Sequence, residues 1–200
     1  IVHPERKTWE LCLTTNDNWG YRPQDHNFKS HFELLSIFTV CLGMGGNLLL
    51  DIGPKADGTI PAEQIAILKE FGRWTQKHST AIYGTIAGLP YGHYHGNTTL
   101  SKDSTVLNIF IPSPQGTDLK LSTATLPIYL KGIKNQAVSI QLLGSDTPIH
   151  YTEVGKISWS TVPGTLFLEI PISEMDPMIS VVQIQFKEPI QLYRGKGGFH

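Results

Sequence analysis

Trp9-Glu10-Leu11-Cys12-Leu13-Thr14-Thr15-Asn16-Asp17-Asn18-Trp19-Gly20-Tyr21 is the stretch on which the fold turns. From Trp9 to Leu13, large apolar residues alternate with Glu10 and the small Cys12, as in a short buried strand packed on at least one face. Thr14 to Asn18 then supply hydroxyls, amides and a carboxylate, and Trp19 and Tyr21 follow around Gly20. Small-ligand sites combine an apolar platform with a few placed polar groups, and α/β barrels carry theirs at the C-terminal ends of strands. On periodicity alone, the same residues read as an ordinary strand-to-loop turn with a core tryptophan.

Beyond it, Ser30-His31-Phe32-Glu33 has capping-box spacing. The helix that it opens carries Leu34, Leu35, Ile37, Phe38, Val40, Cys41 and Leu42 as a wide apolar stripe, suited to packing on a sheet. Gly43 is expected to supply the left-handed residue that stops it. Asn47 to Ile52, closed by Gly53-Pro54, is a continuous apolar run of the kind found in parallel strands covered on both faces. Gly43, Gly45 and Gly46 precede this strand instead of following it, which excludes a dinucleotide-binding phosphate loop. Asp57-Gly58 signals a turn, and Pro61 with Glu63 opens a second helix. Ile65, Leu68, Phe71 and Trp74 are its expected buried face, with Lys77 and His78 as basic groups at its C-terminal end. Strand, helix, strand, helix is an α/β layer pattern. Two strands cannot close a parallel-sheet core, so a larger sheet is expected.

From Ile86 onward, short β-type runs replace helical periodicity. Expected strands are Thr105–Ile111, Asp118–Leu121, Pro127–Tyr129, Ala137–Leu143, Lys156–Ser160, Thr165–Ile170 and Ile179–Phe186, a β-sandwich or related antiparallel fold. The boundary falls near Thr85 to Gly88, and Arg194 to His200 reads as a mobile tail or cloning remnant. Trp74 and Trp159 are expected in the cores of the helix and of the sandwich. His93 and His95, at i and i+2, could share one side of a strand, but no third metal ligand is evident, which leaves a surface strand with two unpaired histidines. Asn97-Thr98-Thr99 matches a glycosylation acceptor and matters only in a secreted protein.

The 200 residues, 40% hydrophobic and 16% charged, suffice for one large or two small domains. A formal net charge of −1 argues against nucleic acid or an anionic membrane as the main partner. No apolar run approaches the ~20 residues of a membrane span. Cys12 and Cys41 sit in apolar settings and read as buried reduced thiols, with no metal-ligand spacing. Ile1-Val2-His3-Pro4 shows neither an initiating Met nor a signal-peptide layout, so a longer polypeptide is expected. Ile1 to Thr8 reads as a polar approach segment.

Together with Gly45-Gly46-Asn47-Leu48-Leu49-Leu50-Asp51-Ile52-Gly53-Pro54, Asp57-Gly58-Thr59-Ile60-Pro61 and Ala81-Ile82-Tyr83-Gly84-Thr85, the opening stretch resembles the C-terminal half of the retaining α-L-fucosidases of glycoside hydrolase family 29. The match covers residues 9 to 85. It implies the last β/α units of a (β/α)8-like barrel over 1–85, an antiparallel β-sandwich over 86–194, and a tail over 195–200. It implies hydrolysis of terminal α-linked L-fucose with retention, without metal or cofactor. The partners it implies are a fucosylated glycan or fucoside and the missing N-terminal part of the barrel. Oligomeric state stays open, as does a secreted, periplasmic or lysosomal location.

Retaining hydrolysis needs two carboxyl groups ~5–5.5 Å apart, one nucleophile and one acid/base. By the resemblance, the nucleophile lies on an earlier barrel strand outside this chain, and the acid/base, whose position varies between subfamilies, lies upstream of the Trp9-Glu10 strand and is also expected outside it, leaving these residues inactive alone. Glu10 is the remaining catalytic candidate, its alternative role being to orient neighbours or pair with an Arg of the absent half. Asp17 and Asp25 are weaker candidates. Trp19 is the candidate substrate-binding residue: its counterpart in the family packs an aromatic ring on the apolar face and methyl group of fucose. His26 could reach a ligand but reads first as a loop-stapling group. Either Asn47 or Asp51 could support the pocket or simply cap the strand. The rival reading is a non-catalytic carbohydrate-binding or structural module.

Overall fold

The computed structural model describes residues 8–114 and 122–194, and within them the chain is mostly sheet with two α-helices. Strands β1 (Glu10–Thr14) and β2 (Asn47–Asp51) pair in parallel, Glu10 opposite Asn47 and Thr14 opposite Asp51. Parallel neighbours need a long crossover, which helix α1 (His31–Gly43) supplies. Its start is as expected: the Ser30 hydroxyl accepts from the Glu33 amide at 3.1 Å. Its stop is not. Gly43 is still helical, Met44 is the cap, and Gly45 takes the left-handed conformation at φ 74°. Gly45 N–H donates to Leu42 O at 2.9 Å and Gly46 N–H to Cys41 O at 2.8 Å, the paired bonds that end a helix on a glycine. Gly46 has a second reason to lack a side chain, since a Cβ there would lie 2.3 Å from the Trp9 indole.

Among the described residues, ten strands form three sheets. Five are antiparallel in the spatial order β3 (Thr85–Ala87), β4 (Thr98–Ser101), β5 (Val106–Pro112), β10 (Ile179–Phe186) and β7 (Ala137–Leu142). Three more order as β6 (Thr125–Leu130), β9 (Thr165–Pro171) and β8 (His150–Val154). One face of the five-stranded sheet packs Leu107, Ile109, Val182, Ile184 and Phe186 against Leu130, Leu168 and Ile170 of the three-stranded sheet. Its other face sends Phe110, Ile179 and Val181 into a second core with Leu35 and with Trp74 of helix α2 (Ala62–Lys77). Burial on both faces explains why β5 and β10 read as nearly unbroken apolar runs.

Several expectations need correction. In α2 the buried stripe is Gln64, Ile67, Trp74 and, just beyond, His78, whereas Ile65 and Leu68 each keep more than a third of their surface exposed. The 3–4 spacing of that stripe is what faces the sheet. Trp74 is fully buried and donates its indole N–H to Ile179 O at 2.7 Å. His78 does not serve the helix dipole as a cation: it is fully buried beside Trp74, and burial pushes its pKa down to about 4, so the imidazole is neutral. Lys156–Ser160 is a turn and not a strand, and Trp159 is 86% exposed and belongs to no core. The strand precedes it at His150–Val154, ending where Gly155 turns the chain at φ 76°. His93 and His95 lie on turns, and His93 Nδ1 is bonded to Lys131 O at 2.8 Å. Cys12 is exposed, whereas Cys41 is buried; both are free thiols. The expected strand Asp118–Leu121, most of the approach segment and Gly195–His200 lie outside the described residues.

The Asn97 acceptor sequence is built into the packing: its side-chain amide donates to Thr39 Oγ1 at 3.1 Å, and buried Thr99 Oγ1 donates to Ala81 O at 2.8 Å. An ion-pair clasp also joins α2 to the loop before β10. Buried Asp176 accepts from Arg73 at 2.9 and 3.1 Å and from Lys77 at 3.1 Å.

Candidate functional site

Side-chain alternation divides the β1–β2 pair into two faces. Leu13, Leu48 and Leu50 are half-buried on one, while Glu10, Cys12, Asn47 and Leu49 lie exposed on the other. β2 is therefore not the doubly covered strand expected, because among the described residues no further strand extends this sheet and nothing seals its second face.

The C-terminal ends of both strands are closely built. Thr15 N–H donates to Asp51 O at 3.2 Å, continuing the pairing into the loop. Buried Gln64 ties three segments together: its Oε1 accepts from Gly53 N–H at 3.1 Å and its Nε2 donates to Thr15 Oγ1 at 2.9 Å. A Cβ on Gly53 would lie 2.7 Å from the Tyr21 nitrogen, so this glycine permits the two loops to touch. Lys29 Nζ donates to Asn16 O at 2.7 Å, and the Thr14 hydroxyl donates to the same carbonyl. Farther out, the Asp25 carboxylate accepts from Asn18 Nδ2 at 2.6 Å, Asn27 N–H at 3.0 Å and Asp17 N–H at 3.1 Å. The Asn18 contact is the main cause that holds its pKa below the ordinary carboxylate range. The loop backbone is thus held by its own polar side chains, and it carries Trp19 with 59% of its surface exposed and Tyr21 with 43%. A fixed loop with an exposed aromatic face is suited to stacking.

The expected site residues separate accordingly. Trp19 lies beyond the C-terminal end of β1. Glu10 is exposed at the opposite end, four residues and about 13 Å of strand from Thr14. Asp17 and Asp25 are engaged within the loop, Asp17 accepting from Asn27 Nδ2 at 2.9 Å. His26 is exposed and lines a cavity of about 150 Å³ with Tyr21, Arg22, Lys55 and Gln64. Asn47 is exposed at the start of β2, whereas Asp51 ends it with one carboxylate oxygen buried and without a hydrogen-bond partner among the described residues. Sequence reasoning missed Gln64 and Lys29. The available signal for Gln64 was a polar residue at 3–4 spacing from Ile67 on a helix that must pack on a sheet.

The family model described as alpha-L-fucosidase matches residues 2–80. The tissue alpha-L-fucosidase of Homo sapiens is 32% identical over 199 residues, covering 94% of this chain and 37% of that protein. Alpha-L-fucosidase isoenzyme 1 from Paenibacillus thiaminolyticus superposes with a TM-score of 0.72 at 26% identity, over 90% of this chain and 40% of that one. The alpha-L-fucosidase from Vibrio sp. strain EJY3, at 24% identity, shares the fold with a TM-score of 0.79 over 96% of this chain and 32% of its own. The chain spans less than two fifths of the human relative. Family model, relative and folds agree on one assignment: the chain matches a C-terminal portion of the α-L-fucosidases of glycoside hydrolase family 29.

Proposed function

We propose that these residues form the C-terminal portion of a retaining α-L-fucosidase that releases terminal α-linked L-fucose from glycans. Residues 1–85 contribute the last two β/α units of a (β/α)8-like barrel, and 86–194 an antiparallel β-sandwich. The observation that carries this reading is the parallel β1–β2 pair, open on one face and ending in the Trp19 loop, inside the span that the family model matches. In a complete barrel that open face would turn inward, and the C-terminal loops would form the mouth of the site.

Double displacement then proceeds between two carboxyl groups, one attacking the sugar carbon and the other protonating the leaving oxygen before activating water. The nucleophile comes from polypeptide outside this chain, as does the acid/base unless Glu10 supplies it. Glu10 is the candidate acid within it, but its place at the start of β1 favours a supporting role over direct contact with the mouth. Trp19 stacks on the sugar: an indole favours the apolar edge and the methyl of a deoxy sugar, where no hydroxyl is left unpaired.

The test is hydrolysis of an aryl α-L-fucoside by the 200 residues alone and by the same residues joined to the N-terminal barrel portion of a relative. Turnover only in the joined protein is expected. Saturable hydrolysis by the 200 residues alone would overturn the division of labour proposed here, and none in either would favour a non-catalytic module.

A further inference from the structure

In the antiparallel pairing of β8 with β9, Tyr151 stands opposite Leu168 and Glu153 opposite Leu166. Directly opposed residues share a face, so both side chains point toward the interior of the sandwich. Leu168 is fully buried there, and Ile149, two residues earlier on the same face, is buried as well. Yet Tyr151 keeps 48% of its surface exposed, and Glu153 is also exposed. The facing five-stranded sheet ends at β7, and it ends irregularly. Gln185 pairs with Ser139 and Phe186 with Ala137, which leaves Val138 as an extra residue in β7. Bulges of this kind bend a strand at sheet edges and beside functional sites. A cavity of about 260 Å³ results, lined by Tyr151 and Glu153 from the three-stranded sheet and by Lys134, Gln136 and Ala137 from the segment entering β7. A second cavity of about 360 Å³ shares Lys134, Gln136 and Ala137.

The lining is held in place by its own hydrogen bonds. Asn135 Nδ2 donates to Pro189 O at 3.2 Å, its Oδ1 accepts from Gln191 N–H at 2.5 Å, and Lys134 N–H donates to Gln191 O at 2.9 Å. Glu153 is fixed from another direction, its Oε1 accepting from Gly164 N–H at 3.1 Å and its Oε2 from Lys156 Nζ at 3.4 Å. Gly164 makes room for that carboxylate, since a Cβ there would lie 2.6 Å from Glu153 Cγ. Three groups stay available to a ligand. They are the Tyr151 ring, the Lys134 ammonium 6.0 Å from the centre of the Tyr193 ring, and the Gln136 amide, which makes no side-chain hydrogen bond among the described residues.

Charges of both signs line the cavity, so stacking and hydrogen bonding select its ligand rather than net charge. An aromatic face beside a fixed carboxylate, an amide and an ammonium supplies acceptors and donors around one apolar surface. That combination suits a neutral pyranose, which has an apolar ring face and a rim of hydroxyls. We infer that this cavity is a saccharide-binding site of the sandwich. It takes one neutral sugar unit of a glycan, with the ring on Tyr151 and the hydroxyls on Glu153, Gln136 and Lys134. The choice of a saccharide rests on the fucosidase reading; the uncovered interior-facing tyrosine and the fixed carboxylate do not.

The chain itself is the test object, titrated with galactose, N-acetylglucosamine and glycerol and followed by amide chemical shifts. At least one sugar is expected to bind with a dissociation constant of about 1–10 mM, with the largest shifts at Gln136, Tyr151 and Glu153. Glycerol, which has no ring face to stack, should bind tenfold or more weaker. Tyr151→Ala should weaken the sugar tenfold or more at an unchanged melting temperature, because the ring is half exposed, and Tyr151→Phe should keep most of the affinity. The shift map on the unaltered chain reads the same site independently. No binding of either sugar, binding indifferent to Tyr151→Ala, or binding that Trp19→Ala abolishes would overturn the inference. The titration involves no hydrolysis of fucose, so that failure leaves the fucosidase reading standing, which the fucoside assay tests separately.

Discussion

Leu48-Leu49-Leu50 and Val181-Val182 are comparably apolar runs, yet the molecule treats them oppositely. Val181 and Val182 are fully buried, between the helices on one side and the three-stranded sheet on the other. Leu49 keeps 43% of its surface exposed, on the same face as the exposed Glu10, Cys12 and Asn47. Strand propensity is alike in the two regions; what differs is the number of layers around them. The antiparallel sheets satisfy themselves within this chain, whereas the parallel pair presents a finished loop above an uncovered face. That contrast is the physical content of the proposal that further barrel strands complete the pair.

The largest effect expected on this contrast is at Trp74, which touches both layers. Trp74→Ala removes a fully buried indole and its hydrogen bond to Ile179, and should cost about 3–5 kcal/mol by denaturant titration. A loss below 1 kcal/mol would show that the helices dock loosely on the sheet. Next is pH. His78 is neutral when folded, its pKa pushed down to about 4 from an ordinary 6.5. The unfolded chain therefore takes up the proton first as pH falls. The stabilisation is complete above pH 6.5, declines through the window down to about 4, and falls no further from this group below it. A loss on the order of 2–3 kcal/mol across that window is expected. His78→Phe should flatten the slope, and an unchanged slope would assign it to other groups.

Asp176→Asn comes third, breaking the clasp between α2 and the β10 loop. Arg73 is substantially exposed and can turn to water, so about 1–3 kcal/mol is expected rather than the full cost of a broken buried pair. The smallest effect belongs to the open face. Leu49→Ser in this chain should change stability by less than about 0.5–1 kcal/mol, since its side chain already meets solvent. In a protein that completes the barrel, the same substitution should cost several-fold more, and equal costs in both would argue that nothing covers this face.

Much of this was legible from the sequence because local chemistry decides it: the Ser30 cap, the Asp57-Gly58 turn, and strands such as Ile179–Phe186. What escaped depends on neighbours distant in the chain. Ile65 and Leu68 fit a helical stripe as well as Gln64 and Ile67 do, and only the position of the sheet selects between them. Trp159 has the hydrophobicity of a core residue, but Gly155 ends the strand before reaching it. In the candidate site, the family resemblance singled out Trp19, which is exposed, whereas the cavity lined by Tyr21, His26, Lys55 and Gln64 needed the fold of separate loops.

The claim on which the account rests is that Trp19 stacks on fucose in a site completed by other polypeptide. Its most direct test is kcat/KM for an aryl α-L-fucoside with Trp19→Ala in the protein that includes the N-terminal barrel portion. A loss of roughly 10–100-fold, or about 1.4–2.8 kcal/mol of transition-state stabilisation, is predicted, with Trp19→Phe restoring most of it. Unchanged kcat/KM in a folded Trp19→Ala protein would contradict it.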